Sequence, residues 1–150
     1  MYGLENITIN QSLESMQEIV LIHEIVALVK KPTLKSENFV MLGSGWIQVK
    51  NEQICSSIID MMSDNIKHKM FSFLQTRSFT IPNLLKELDI PYTSGYRKIS
   101  SLITDGLVVE SRFIETKYYK CLYEYTSFIQ SVKILVVDGE TKIFIKLRTI

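Results

Sequence analysis

The stretch TSGYRKISSLITDGLVV, Thr93 to Val109, decides how this chain is read. Tyr96, Ile99, Leu102 and Ile103 recur at helical spacing and form one apolar stripe. Thr93 is placed to cap this helix, and Asp105-Gly106 to stop it after Thr104. The opposite side holds Ser94, Gly95, Arg97, Lys98 and Ser101. It is small, polar and cationic, with no bulky apolar residue, which suits a helix that lies in the major groove of DNA.

Two helices are expected upstream. Ser63 is placed as the cap of a helix from about Asp64 to Gln75, which presents Ile66, Met70, Phe73 and Leu74 to a core. Asp64 then falls in the first turn, where the helix dipole favours an anion. Thr80 caps the second helix, Pro82 sits in its first turn where a missing amide hydrogen costs nothing, and Leu84, Leu85 and Leu88 face inward. Asp89-Ile90-Pro91 ends it.

Three helices and the motif quoted above together resemble winged helix-turn-helix regulators of the ArsR-like and MarR-like groups, which implies that a two-stranded wing follows, supplied here by Leu107 to Glu115 and Tyr118 to Phe128 with Thr116-Lys117 at its tip. The chain looks most like small archaeal winged-helix regulators. The resemblance covers about Asp64 to Phe128, less than half the chain. It implies that Thr93, Ser94, Tyr96 and Arg97 approach base edges or phosphates, with Lys98 and Ser101 alongside. Tyr96 also falls on the apolar stripe. Arg112, Lys117 and Lys120 are then the wing cations that meet flanking phosphates, while Phe113, Tyr119 and Leu122 pack the ribbon. The paired cysteines that bind metal in some arsenical-repressor relatives are missing, so metal sensing is not implied, and the resemblance names no small-molecule effector.

Composition agrees with a packed globule. A chain of 150 residues with 46% hydrophobic side chains buries one good core and is not a disordered tail. The most apolar run, Ile19 to Val29, is interrupted by His23 and Glu24 and falls short of the roughly 18 apolar residues of a membrane span. The first residues lack the basic and apolar regions of a secretory signal, so a reducing cytoplasmic setting is expected. Cys55 and Cys121 are far apart, and His23 and His68 stand alone, so no metal site, cofactor or redox pair is assigned. The net charge of +1 is unevenly spread. Residues 1–63 carry four Lys/Arg against seven Asp/Glu, and residues 64–120 carry nine against six, so the basic excess coincides with the three helices and the ribbon.

The flanks are less specific. Ser12 to Lys30 is read as an amphipathic helix that offers a dimer contact, although its Ile and Val content also suits a buried strand. Phe39 to Leu42 and Trp46 to Val49 form a hairpin around Gly43-Ser44-Gly45. That turn lacks the Gly-Lys-Ser/Thr of a phosphate loop and leads into a strand. Asn51 to Met62 is helical. Val132 to Val137 and Thr141 to Leu147, joined by Asp138-Gly139, make a second hairpin. It has three places to go: the wing sheet, the first hairpin, or a dimer interface.

The expectation is therefore an α+β chain in three parts: an N-terminal helix and hairpin extension over 1–62, a winged helix-turn-helix domain over 63–128, and a C-terminal β-hairpin over 129–150. The expected function is binding of double-stranded DNA as a homodimeric, cytoplasmic transcriptional regulator, with no cofactor and no membrane contact. No nucleophile, base and orienting acid form a set, so an enzyme is not expected. The alternative is a winged-helix module that binds protein alone. An RNA binder would need exposed aromatic platforms, which the sequence does not clearly show.

Overall fold

A computed structural model describes residues 24–25, 36–115, 117 and 122–148. The expected N-terminal helix over Ser12 to Lys30 lies outside the described residues except for Glu24 and Ile25, which are helical. The described chain runs β1 (Phe39–Met41), β2 (Trp46–Val49), α1 (Glu52–Ser63), α2 (Asn65–Thr76), β3 (Phe79–Thr80), α3 (Ile81–Glu87) and α4 (Tyr92–Thr104). It continues through β4 (Val109–Ile114), β5 (Leu122–Thr126), β6 (Ile129–Val137) and β7 (Glu140–Leu147). The fold is α+β, with two antiparallel sheets among the described residues.

Local chemistry sets most of the helix ends. Asn51 accepts the Ile54 amide at 2.9 Å and starts α1. The start of α2 differs from expectation, because Asp64 rather than Ser63 is its cap. Asp64 Oδ1 accepts the amides of Ile66 and Lys67 at 2.9 and 3.0 Å, which one hydroxyl does less well than a carboxylate. Ser63 instead ends α1, its hydroxyl donating to the Ile59 carbonyl at 2.8 Å. Thr80 caps α3 as expected. Asp89 leaves that helix with φ at 52°, a left-handed conformation that aspartate tolerates.

Helix α4 also starts earlier than expected. Pro91, not Thr93, holds the cap position, and no side chain caps this helix. The Pro91 carbonyl accepts the Gly95 amide at 2.9 Å, so the first turn is already closed before Thr93 could act as a cap. Proline's fixed φ prepares that turn. Within α2, the core-facing set is Met70, Phe71 and Leu74. Phe73, expected inside, is 36% exposed and packs its ring beside Phe79.

The smaller sheet has the order β3-β5-β4, with the two-residue β3 paired to β5 through Phe79↔Tyr125 and Thr80↔Glu124. It ties the segment between α2 and α3 to the β4–β5 hairpin. The larger sheet has the order β1-β2-β7-β6. Its central pairing, Ile47↔Ile145 and Val49↔Ile143, resolves the question left open for the C-terminal hairpin: it joins the first hairpin. Residues from both ends of the chain thus share one sheet. The inward residues Phe39, Ile47, Val49, Ile143, Ile145 and Leu147 are all buried and belong to the same hydrophobic core as Met70, Ile99 and Leu102. An unpaired sheet edge needs a partner, and β2 and β7 supply it to each other's hairpin.

A candidate nucleic-acid interface

The outer surface of α4 depends on how tightly its inner surface is held. Ile99 and Leu102 are fully buried. Gly95 is buried too, because α4 crosses α3 so closely that a Cβ there would lie 2.4 Å from Leu85 Cδ2 and 2.9 Å from Ile90 Cγ2. Lys98 forms an ion pair with Asp64, the cap of α2. Ser101 accepts a hydrogen bond from Lys67 Nζ at 2.9 Å, and the same ammonium donates to Asp60 Oδ2 at 2.6 Å. These polar contacts join α1, α2 and α4 at one corner.

This placement corrects the expected DNA-facing stripe. Gly95, Lys98 and Ser101 lie against α2 and α3, where they hold the helix in place. The side that faces solvent is made of Thr93, Tyr96, Arg97, Ser100 and Thr104, with Ser94 half-buried at its margin. Tyr92 extends this surface at the start of the helix. Ser100 was absent from the expected set, although its spacing from Thr93, Tyr96 and Arg97 places it on their side of the helix. Arg97 is exposed and has no partner among the described residues.

The same corner makes a prediction about stability. The hydrogen bond from Lys98, followed by the Lys67 backbone amide, pulls the Asp64 carboxyl below its ordinary range. A carboxyl with a folded pKa below its unfolded value of about 3.9 stabilises the fold above that pH. The contribution fades as pH falls through the lower folded value. Asp64→Ala should therefore cost about 1–2 kcal/mol at pH 7 by chemical denaturation, as lost helix caps do. The gap between the two proteins should narrow below about pH 4. A constant gap down to pH 2 would contradict this account.

Beside α4 stands the β4–β5 hairpin, expected as the wing. Arg112 is 63% exposed, and its Nε donates to Glu124 Oε1 at 3.0 Å across the strands, so Glu124 partly neutralises its charge. Lys117 is exposed near the tip, whereas Lys120, Thr116 and Tyr119 lie outside the described residues. Phe113, expected to pack the ribbon, meets Tyr123 edge to face at 5.2 Å, and the two rings remain 49% and 38% exposed. A second exposed pair, Tyr92 and Tyr96, lies with ring centroids 4.9 Å apart on α4. Between the pairs lies Tyr125, whose phenol is pushed up to about 12 by burial first and then by the charge of Glu110.

Glu110 is itself 5% exposed, and its carboxylate has no hydrogen-bond or ion-pair partner among the described residues. Burial pushes its pKa above the ordinary range. The sign is opposite to that of Asp64: stability is lost as pH rises from the unfolded value of about 4.3 through the raised folded one. Glu110→Gln should raise stability at pH 7 by about 1 kcal/mol, since an amide is easier to bury than an unpaired charge. The gain should vanish below about pH 4. An equal gain at both pH values would show that charge is not the cause.

Among the described residues, no helix is long and apolar enough to cross a membrane, and no three His, Cys, Asp or Glu side chains are grouped to hold a metal ion. Cys55 is a half-buried free thiol, its Sγ donating to the Val49 carbonyl at 3.3 Å. The chain matches no family model, no curated protein and no solved structure.

Proposed function

We propose that this protein is a winged helix-turn-helix transcriptional regulator that binds double-stranded DNA, with α4 in the major groove and the β4–β5 hairpin as the wing. The observation that carries this reading is the uncovered outer side of α4. Thr93, Tyr96, Arg97, Ser100 and Thr104 stand clear of the core on a helix that is braced from behind by Gly95, Lys98 and Ser101. Side chains of this kind supply hydrogen bonds and one cation to base edges and phosphates. Arg112 and Lys117 are the described cations of the wing, and Lys120 belongs with them by sequence.

With so few cations one domain binds weakly, so the protein acts in the cytoplasm as a homodimer whose two helices reach half-sites about 34 Å apart. Selection of bound fragments from genomic DNA, followed by a mobility-shift titration at several salt concentrations, tests the proposal. Binding of a selected duplex that weakens steeply with salt is expected; no binding above background at low salt would refute it.

A second reading has its own observation. The exposed pairs Tyr92–Tyr96 and Phe113–Tyr123 are the kind of aromatic anchors enriched at protein interfaces. A protein-binding winged-helix module would use these rings, and losing them would abolish partner capture while leaving no duplex binding to measure.

A further inference from the structure

The outer face of the larger sheet carries a site of a different character. Alternation along β2 and β7 sends Ile47, Val49, Ile143 and Ile145 into the core, and leaves Trp46, Gln48, Lys142, Phe144 and Lys146 on the other side. Strand β6 adds Lys133, which pairs with Phe144 across the ladder. None of these outer side chains is buried. The Lys133 ammonium lies 4.9 Å from the Trp46 ring centroid and 5.4 Å from that of Phe144, and Lys146 lies 6.0 Å from Trp46. Two aromatic rings on neighbouring strands are thus interleaved with three lysines. The one acid on this side of the described strands, Glu140, stands at the end of β7 beside Val137.

We infer that this sheet face binds single-stranded nucleic acid. Three ammonium groups against one carboxylate give it the charge that complements a phosphate chain. A repeating polymer of one base and one phosphate per unit matches a surface that repeats one ring and one lysine. Bases in a duplex are already stacked on each other and have no free face to lay on Trp46 or Phe144, whereas unpaired bases do. An acidic peptide would satisfy the lysines and leave the rings unused. The ring faces are now covered by lysine ammonium groups through cation–π contacts. A stacking base would replace those contacts, releasing Lys133 and Lys146 to meet the flanking phosphates. This site is separate from α4 and does not rest on the regulator proposal.

The test uses the full chain, in which Trp46 is the sole tryptophan and so reports on its own site. Intrinsic fluorescence is followed while an oligo(dT) strand of about 15 nucleotides, or its oligo(U) counterpart, is added at low salt; a strand of that length spans a groove of the ordinary site size. Quenching is expected with one or both strands, and which one quenches separates DNA from RNA as the source. Phe144→Leu should weaken binding about fivefold or more, the scale of one lost base stack. Lys133→Ala combined with Lys146→Ala should weaken it about tenfold or more and flatten the salt dependence. Arg97→Ala should leave it unchanged. Far-UV circular dichroism confirms that each variant is folded, and the lysine pair keeps the test decisive if Phe144→Leu is not. The inference is overturned if neither strand quenches, if the lysine pair binds like the wild type, or if Arg97→Ala abolishes the signal. It is equally overturned if polyglutamate or phosphatidylserine vesicles give the same response and Phe144→Leu has no effect. Weakened duplex binding in Arg97→Ala with oligo(dT) quenching intact would keep the two proposals distinct.

Discussion

Reversing the charge at Arg97 is expected to remove specific duplex binding while leaving the melting temperature unchanged. Arg97 is exposed and has no hydrogen-bond or ion-pair partner among the described residues, so little in the fold depends on its charge. A single arginine contact to a guanine edge contributes about 1–3 kcal/mol of discrimination, and a glutamate in its place adds repulsion from the phosphates. Arg97→Glu should therefore weaken binding by about a hundredfold or more at low salt, and Arg97→Ala by about tenfold. In the alanine variant the slope of log affinity against log salt should also shift if Arg97 meets a phosphate, by about one unit. Lys98 is the internal control. Its ammonium is committed to Asp64, so Lys98→Met should lower stability and change DNA affinity far less than Arg97→Glu. Mobility shifts on a selected duplex, beside thermal melts of the same samples, separate the two. Equal affinity for wild type and Arg97→Glu would remove α4 as the reading element.

The largest loss of stability is expected at Gly95. A Cβ at this position would come within 2.4 Å of one Leu85 methyl carbon, 3.2 Å of the other and 2.9 Å of Ile90 Cγ2. Leu85 is 4% exposed and has no solvent to swing into. Alanine would recover about 1 kcal/mol of helix propensity and set it against this overlap. Valine adds two further carbons to the same crowded space. Overpacking of this kind costs about 1–3 kcal/mol or more, so Gly95→Val should destabilise by about 3 kcal/mol. For a chain of this size that lowers the melting temperature by about 6–12 °C. A calorimetric melt within about 2 °C of the wild type would show that α3 and α4 separate easily, against the overlap described. The residue was expected on the DNA side of the helix; its lack of a side chain instead serves the contact between the helices.

Much of the helical order was readable because short-range chemistry carries it. Thr80 and Pro82 at the start of α3, Asp105-Gly106 after α4 and Asp138-Gly139 in the second hairpin act through the backbone of their own few residues, and they do the same in the structure. The expected face of α4 was only partly right. Its apolar stripe was visible in the spacing of Ile99 and Leu102, but polarity does not say which polar residues meet water. Lys98 and Ser101 have the same chemistry as Arg97 and Ser100, and they differ only in having Asp64 and Lys67 opposite them. Asp64 is 34 positions from Lys98 along the chain, beyond the reach of any local pattern. Tyr96 presented the converse difficulty: it fell on the apolar stripe and is nonetheless 39% exposed, paired with Tyr92.

The sequence alone determined where α3 begins and where α4 ends, because Thr80, Pro82 and Asp105-Gly106 act on their immediate neighbours, whereas the starts of α2 and α4 fall at Asp64 and Pro91 rather than at Ser63 and Thr93. The alternation of Ile143, Ile145 and Leu147 with Lys142, Phe144 and Lys146 likewise marks in the sequence which side of β7 is apolar. Only the tertiary structure decided that the two terminal hairpins meet in one sheet, because Ile47 and Ile145 are joined by packing rather than by proximity in the chain. It likewise decided which cations are spent on the fold and which remain free, since an ion pair exists only once distant segments have brought the opposite charge within reach.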